Sequence, residues 1–224
     1  MTRTRRLQRL VLAAAACVAL SACSVHPGAA AMVGSKPISS DSVDAFARAL
    51  CYNPNASAGQ TVASRAVRQN ALRNLVNASL AQQYGEAHGV VADQGKVSAF
   101  MASNESALAQ VPADRRSVLT QRLQELVEGQ LILVEAGRRE LQQQGSTTIS
   151  DQSAYTAGTR LLSAWARKHV DVSVDPRFGT FTNGNLVPSS GSVSVAVSKS
   201  ATAAAQAQPP SSWVAGLPAS QKCS

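Results

Sequence analysis

Apolar residues return every three or four positions from Val43 to Trp165, and at Val170 the interval drops abruptly to two. The first spacing marks one face of a helix and the second one face of a strand. A chain patterned this way is mainly α, with its strands kept to either side of the helical stretch.

Breakers and caps divide that stretch into five helices. Ser39 suits an N-cap, with Asp41 and Asp44 at the positive end and Ile38 placed to staple onto Val43. Val43, Phe46, Ala47 and Leu50 carry this helix to about Cys51, where "NPNASAG" interrupts. A second helix, Thr61 to about His88, keeps Leu72, Leu75, Val76, Leu80 and Tyr84 on one side and ends at Gly89. Asp93 caps a third through Val97, Phe100 and Met101. After "VPADRR" a long fourth helix runs from Asp114 to about Gln144, with Leu119, Leu123, Leu126, Val127, Leu133, Val134 and Leu141 apolar. Its length suggests one arm of an extended multi-helix body. Ser150 and Asp151 open a fifth helix, through Tyr155, Leu161, Leu162 and Trp165.

Val170, Val172 and Val174 then alternate with polar residues, and "GSVSVAVS" does the same. With a short early strand in "AMVGSKPIS", before a turn and the first helix, these late strands are expected to form one small β-sheet. "KSATAAAQAQPPSS" is low in complexity and reads as linker. The closing "WVAGLPASQKCS" has Trp213 to bury and Cys223 to bridge.

At the other end, Arg3, Arg5, Arg6 and Arg9 precede an apolar run from Leu10 to Leu20. That run is about half the roughly 20 residues a bilayer-spanning helix needs, so it reads as an export signal. Leu20-Ser21-Ala22-Cys23 resembles the lipobox of bacterial lipoproteins. The resemblance implies cleavage before Cys23 and a lipid on its sulfur, hence a protein anchored to the membrane on its extracytoplasmic face. Cys17 is the weaker candidate, because Ala14 stands where an aliphatic residue is expected. The expected division is a signal over 1–22, a tether over 23–31, a helical domain over 32–199, and a linker with tail over 200–224.

The formal charge of +8 invites a nucleic-acid reading. However, the signal alone holds four of the 21 Lys and Arg residues and none of the 13 Asp and Glu, and aromatics are only 4%. The remaining cations are spread along the helices, so no nucleic-acid partner is expected. With Cys23 acylated, Cys51 and Cys223 remain in an oxidising compartment. Either they form a disulfide, stabilising by roughly 4 kcal/mol in the chain-entropy model, or they stay free or pair with another chain.

Three stretches together resemble one family. "ALRNLVNASLAQQYGEAHGVVADQGKV" resembles the central signature of the SurA-like chaperone N-terminal domain, through Leu75, Val76, Ala87, Gly89, Val90 and Asp93. "AAMVGSKPISSDSVDAF" is similar to that family's first strand, turn and capped helix, with Ser35 and Lys36 departing from its usual turn. "VDVSVDPRFGTF" looks like the Pro-Arg-Phe-Gly strand segment of actinobacterial lipoproteins carrying this domain. The resemblance implies a groove for unfolded or newly exported polypeptides, to which Met101, Leu119, Leu133 and Val134 are assigned. In larger members a parvulin-type prolyl isomerase domain follows; here linker follows instead, so isomerase activity is not carried over.

Few residues stand in patterns that carry chemistry. His26, His88 and His169 have no ligand spacing, and no cofactor or metal is expected. Neither a GxSxG elbow nor a GxGxxG loop is present. Asp171 and Asp175 share a strand face but stand about 13 Å apart, too far for paired acid–base work. Asp175 before Pro176 reads as a turn former, with Arg177 free to pair with a buried carboxylate there. The expectation is a non-enzymatic, lipid-anchored chaperone-like protein; the alternative is an assembly lipoprotein dedicated to one envelope complex.

Overall fold

The computed structural model describes residues 27–52, 61–182, 185–187, 197–206 and 209–223. Cys17, Cys23, His26 and most of "GSVSVAVS" lie outside those residues. Among the described residues the fold is mainly α, with a small antiparallel sheet built from early and late strands.

The early hairpin is β1 (Ala29–Val33) and β2 (Lys36–Ser39), and the late strand β4 (Val172–Val174) pairs with the other edge of β1. In the register Ala31 faces Val174 and Val33 faces Val172. Two expectations are corrected here. The tether was expected to reach residue 31, but Ala29, Ala30 and Ala31 are buried in the central strand. Their smallness serves close packing against the second helix, whose Gln83 Nε2 donates to the Val33 carbonyl at 3.1 Å. "KPIS" is a full strand as well as a turn exit, because β1 offers it a ladder from Val33–Lys36 to Ala31–Ile38, with a register shift before Ala29–Ser39.

Helix α1 (Ser40–Leu50) starts as its cap requires, with Ser39 Oγ accepting from the Ser42 amide at 3.1 Å. β3 (Val62–Ala63) leads into α2 (Ser64–His88), and α3 (Gln94–Ser103) follows. A short α4 (Glu105–Ala109), not foreseen, precedes α5 (Ala113–Gln143). α6 (Asp151–His169) begins on the Ser150 cap.

Helix α5 organises the core. Antiparallel to it runs α1, with Arg122 Nη2 donating to Ser42 Oγ at 2.8 Å and Arg115 lying 3.9 Å from the Tyr52 ring. α2 runs parallel to it: a Cβ at Gly129 would meet Ala81, and one at Gly85 would meet Ile132. α6 folds back antiparallel along its C-terminal half, where Arg138 is paired with Asp151 and Gly137 faces Ala154 and Gly158. Between these helices Phe46, Leu72, Val76, Leu80 and Leu119 are almost completely buried. Beyond β4, β5 (Thr180–Thr182) pairs with β6 (Asn185–Val187).

The segment expected to be linker is partly helical. Ser198 Oγ caps α7 (Lys199–Ala205), accepting from the Ala201 amide at 3.1 Å, and α8 (Ser211–Ala215) follows. Four of the seven residues of α7 are alanine, and alanine loses least on entering a helix. β7 (Lys222–Cys223) then pairs with β3, and a disulfide joins Cys51 to Cys223 with their Cα atoms 5.2 Å apart.

Candidate polypeptide-binding cleft

Gly89 ends α2 in the left-handed conformation, at a φ of 63° that side-chain-bearing residues avoid. The chain doubles back, with the Val90 amide donating to the Gly85 carbonyl at 2.9 Å. Four residues in extended alternation then bridge to α3. Val90 and Ala92 turn into the core, whereas Val91 points out and is 77% exposed. Asp93 halts the crossing by capping α3, its Oδ1 accepting from the Lys96 amide at 3.1 Å.

Opposite this loop, α5 presents Leu131, Val134, Glu135 and Arg138, spaced as one helical face. Together the two walls enclose an open cleft of about 270 Å³, lined by Val91, Ala92, Asp93, Lys96, Leu131 and Val134, with Glu135, Arg138 and Arg139 at its margin. Aliphatic and charged side chains share its lining. Arg139 Nε holds Glu135 at 2.8 Å and reaches the Gly89 carbonyl, while Arg138 is held by Asp151. The Lys96 ammonium pairs with no carboxylate among the described residues.

Of the four residues assigned to a groove, only Val134 lines this cleft, and it is itself 7% exposed. Leu119 and Leu133 are corrected to core: helices packed along both halves of α5 leave neither facing solvent. Met101 is half-buried against the same core. Val91, Lys96 and Leu131 were missed. The signal for Val91 was the doublet in "GVVAD", since two consecutive valines in an extended loop cannot both turn inward.

The other residues weighed earlier take structural places. His88 Nδ1 lies 2.9 Å from the Tyr84 carbonyl, and its ring stacks on Tyr84 at 4.1 Å. Trp165 packs edge-on against both rings, and His169 stacks on Trp165. Burial, then the Glu140 carboxylate, raises the Tyr84 phenol above its ordinary value. Asp175 is clamped by Arg177, whose amide donates to Oδ1 at 2.9 Å and whose Nη2 donates to Oδ2 at 2.7 Å. Among the described residues no group of three or more His, Cys, Asp or Glu is placed to hold a metal ion. No described helix is long and apolar enough to cross a membrane. No family model matches the chain, and no curated protein or solved structure matches it either.

Proposed function

We propose that this is a lipid-anchored protein, held outside the cytoplasm through Cys23, that binds unfolded or newly exported polypeptides without catalysis. The observation that carries this reading is the α3–α5 cleft, an open cleft lined by aliphatic and charged side chains with Val91 exposed beside it. Exposed apolar surface rimmed by polar groups suits non-specific capture of extended chains. The resemblance of α2, its Gly89 stop and the Asp93 cap to SurA-like domains supports the same reading, as does the lipobox-like Leu20–Cys23.

The cleft's chemistry narrows the occupant. The lining offers Val91, Leu131 and Val134 to one aliphatic side chain and the Lys96 ammonium, which has no carboxylate partner among the described residues, to a neighbouring carboxylate. The test is light scattering from a chemically unfolded, aggregating protein, with the chain from residue 24 onward added at equal molarity. Suppression is expected from the native sequence and reduced suppression from Val91→Asp, a change made where the side chain is already exposed. Equal scattering with and without the protein overturns the reading.

The cleft's small size favours a second reading, since it holds a side chain or two rather than a long segment. On that reading the protein serves one envelope complex. Pull-down from intact membranes separates the two: a varied client set supports the first and one dominant partner the second.

A further inference from the structure

The described C-terminal segment, 197–206 and 209–223, meets the helical body only at its N-terminal side, around β3 and α2, through short contacts. β7 and β3 pair through two residues each, Val62 with Cys223 and Ala63 with Lys222. Such a ladder is far too short to hold by itself. Val214 is buried, and Arg65 donates to the Ala204 carbonyl. α8 also lies against β3, and the turn at Ala219–Gln221 and β7 lie against α2. Within the segment Trp213 Nε1 donates to Ser200 Oγ at 3.2 Å, and Lys222 Nζ to the Ala215 carbonyl at 2.6 Å. The covalent link is the Cys51–Cys223 bond, which closes a sequence separation of 172 residues.

We propose that this segment is a redox-gated strap over the N-terminal turn of α2, closed by the Cys51–Cys223 bond and released by a dithiol reductant. Cys223 is 2% exposed and Cys51 is half-buried at the end of α1, so the reachable sulfur is that of Cys51. A reductant thiolate attacks Cys51 Sγ, and the sulfur–sulfur bond breaks with Cys223 leaving as thiolate. The reductant's second thiol displaces Cys51 from the mixed disulfide. Two protein thiols and one oxidised dithiol result, and the reductant supplies both electrons and both protons.

What release uncovers is particular. The N-cap of α2 is Ala63, which gives no side-chain cap, and the first turn holds no acidic residue. Arg65 stands in that turn, beneath the strap. Opening the strap therefore breaks the hydrogen bond from Arg65 to the Ala204 carbonyl and the pairing of β3 at the start of α2. The change is local, because the α5–α6 contact at Gly137 and Gly158 involves none of the strap. It is also remote from the cleft: Arg65 and Gly89 are 24 residues apart on α2, about 36 Å at helical rise. The strap therefore stands or falls independently of polypeptide binding in the cleft.

The experiment is amide hydrogen exchange on the chain from residue 24 onward, oxidised and then reduced with dithiothreitol, with thiol alkylation mass confirming two free cysteines. Reduction is expected to bring amides of 211–223 to the rate of unprotected chain while 129–162 keep their protection. Cys223→Ser should reproduce this without reductant. Protection of 211–223 that survives reduction overturns the proposal. So does loss of protection throughout the molecule, which would make the bond a global staple.

Discussion

Asp175 shows how a single residue holds a turn. Its carboxylate accepts from both the backbone and the guanidinium of Arg177, and the Phe178 amide donates to its carbonyl at 2.9 Å. The hydrogen bond from the Arg177 side chain holds the Asp175 carboxyl below its ordinary value of 3.8, against the opposing push of burial. A carboxyl whose folded-state pKa is depressed contributes stability above its unfolded value, and that contribution is lost as pH falls through the folded one. Arg177 is 64% exposed, so water screens the pair. Asp175→Asn is expected to cost about 1 kcal/mol at neutral pH. The gap between the two proteins should close as pH drops below 3.8. Urea unfolding across that range checks it, and a gap that widens toward acid contradicts it. "DPRF" announced the turn and the pairing arginine in four letters, because donor and acceptor are two residues apart.

At the scale of elements, the α5–α6 pair depends on two glycines that periodicity alone does not flag. A Cβ on Gly137 would stand 1.9 Å from the Ala154 carbonyl oxygen, and one on Gly158 1.9 Å from that of Leu133. Both obstacles are backbone, so no side chain can swing aside and the helix axes must part. Gly137→Ala or Gly158→Ala is therefore expected to destabilise by about 1–3 kcal/mol or more. Gly129→Ala is the control, since its Cβ would come no nearer than 3.3 Å to Ala81. Thermal melts of the three variants decide it; equal melting temperatures would mean the helices are not held this closely. The helices themselves were legible: Ser39, Asp93 and Ser150 cap where expected, and Gly89 ends α2. Partnership was not. That α5 lies parallel to α2 and antiparallel to α1 and α6 follows from how apolar faces meet, and any one stripe can be buried in several ways.

For the whole molecule, the proposed lipid on Cys23 sets where the protein acts. The described fold begins at residue 27, leaving only a few residues between that cysteine and β1. At about 3.5 Å per extended residue such a tether keeps the domain close to the bilayer. Mass spectrometry of the native membrane protein is expected to find an N-terminal Cys23 carrying acyl mass; a freely soluble chain with an unmodified N-terminus would remove the anchor from the account. By itself the amino-acid sequence determined the five long helices and most of their ends, because periodicity, caps and stops act within a turn or two of the chain; the short α4, α7 and α8 were not legible in it. Only the tertiary structure decided that Ala29–Ala31 form a central strand, that Leu119 and Leu133 are core, and that Val91 faces a cleft. The same holds for the C-terminal segment closing onto Cys51. Each of these turns on which distant residues meet, and local pattern at most offers candidates for such meetings, as the valine doublet and the cysteine pair did.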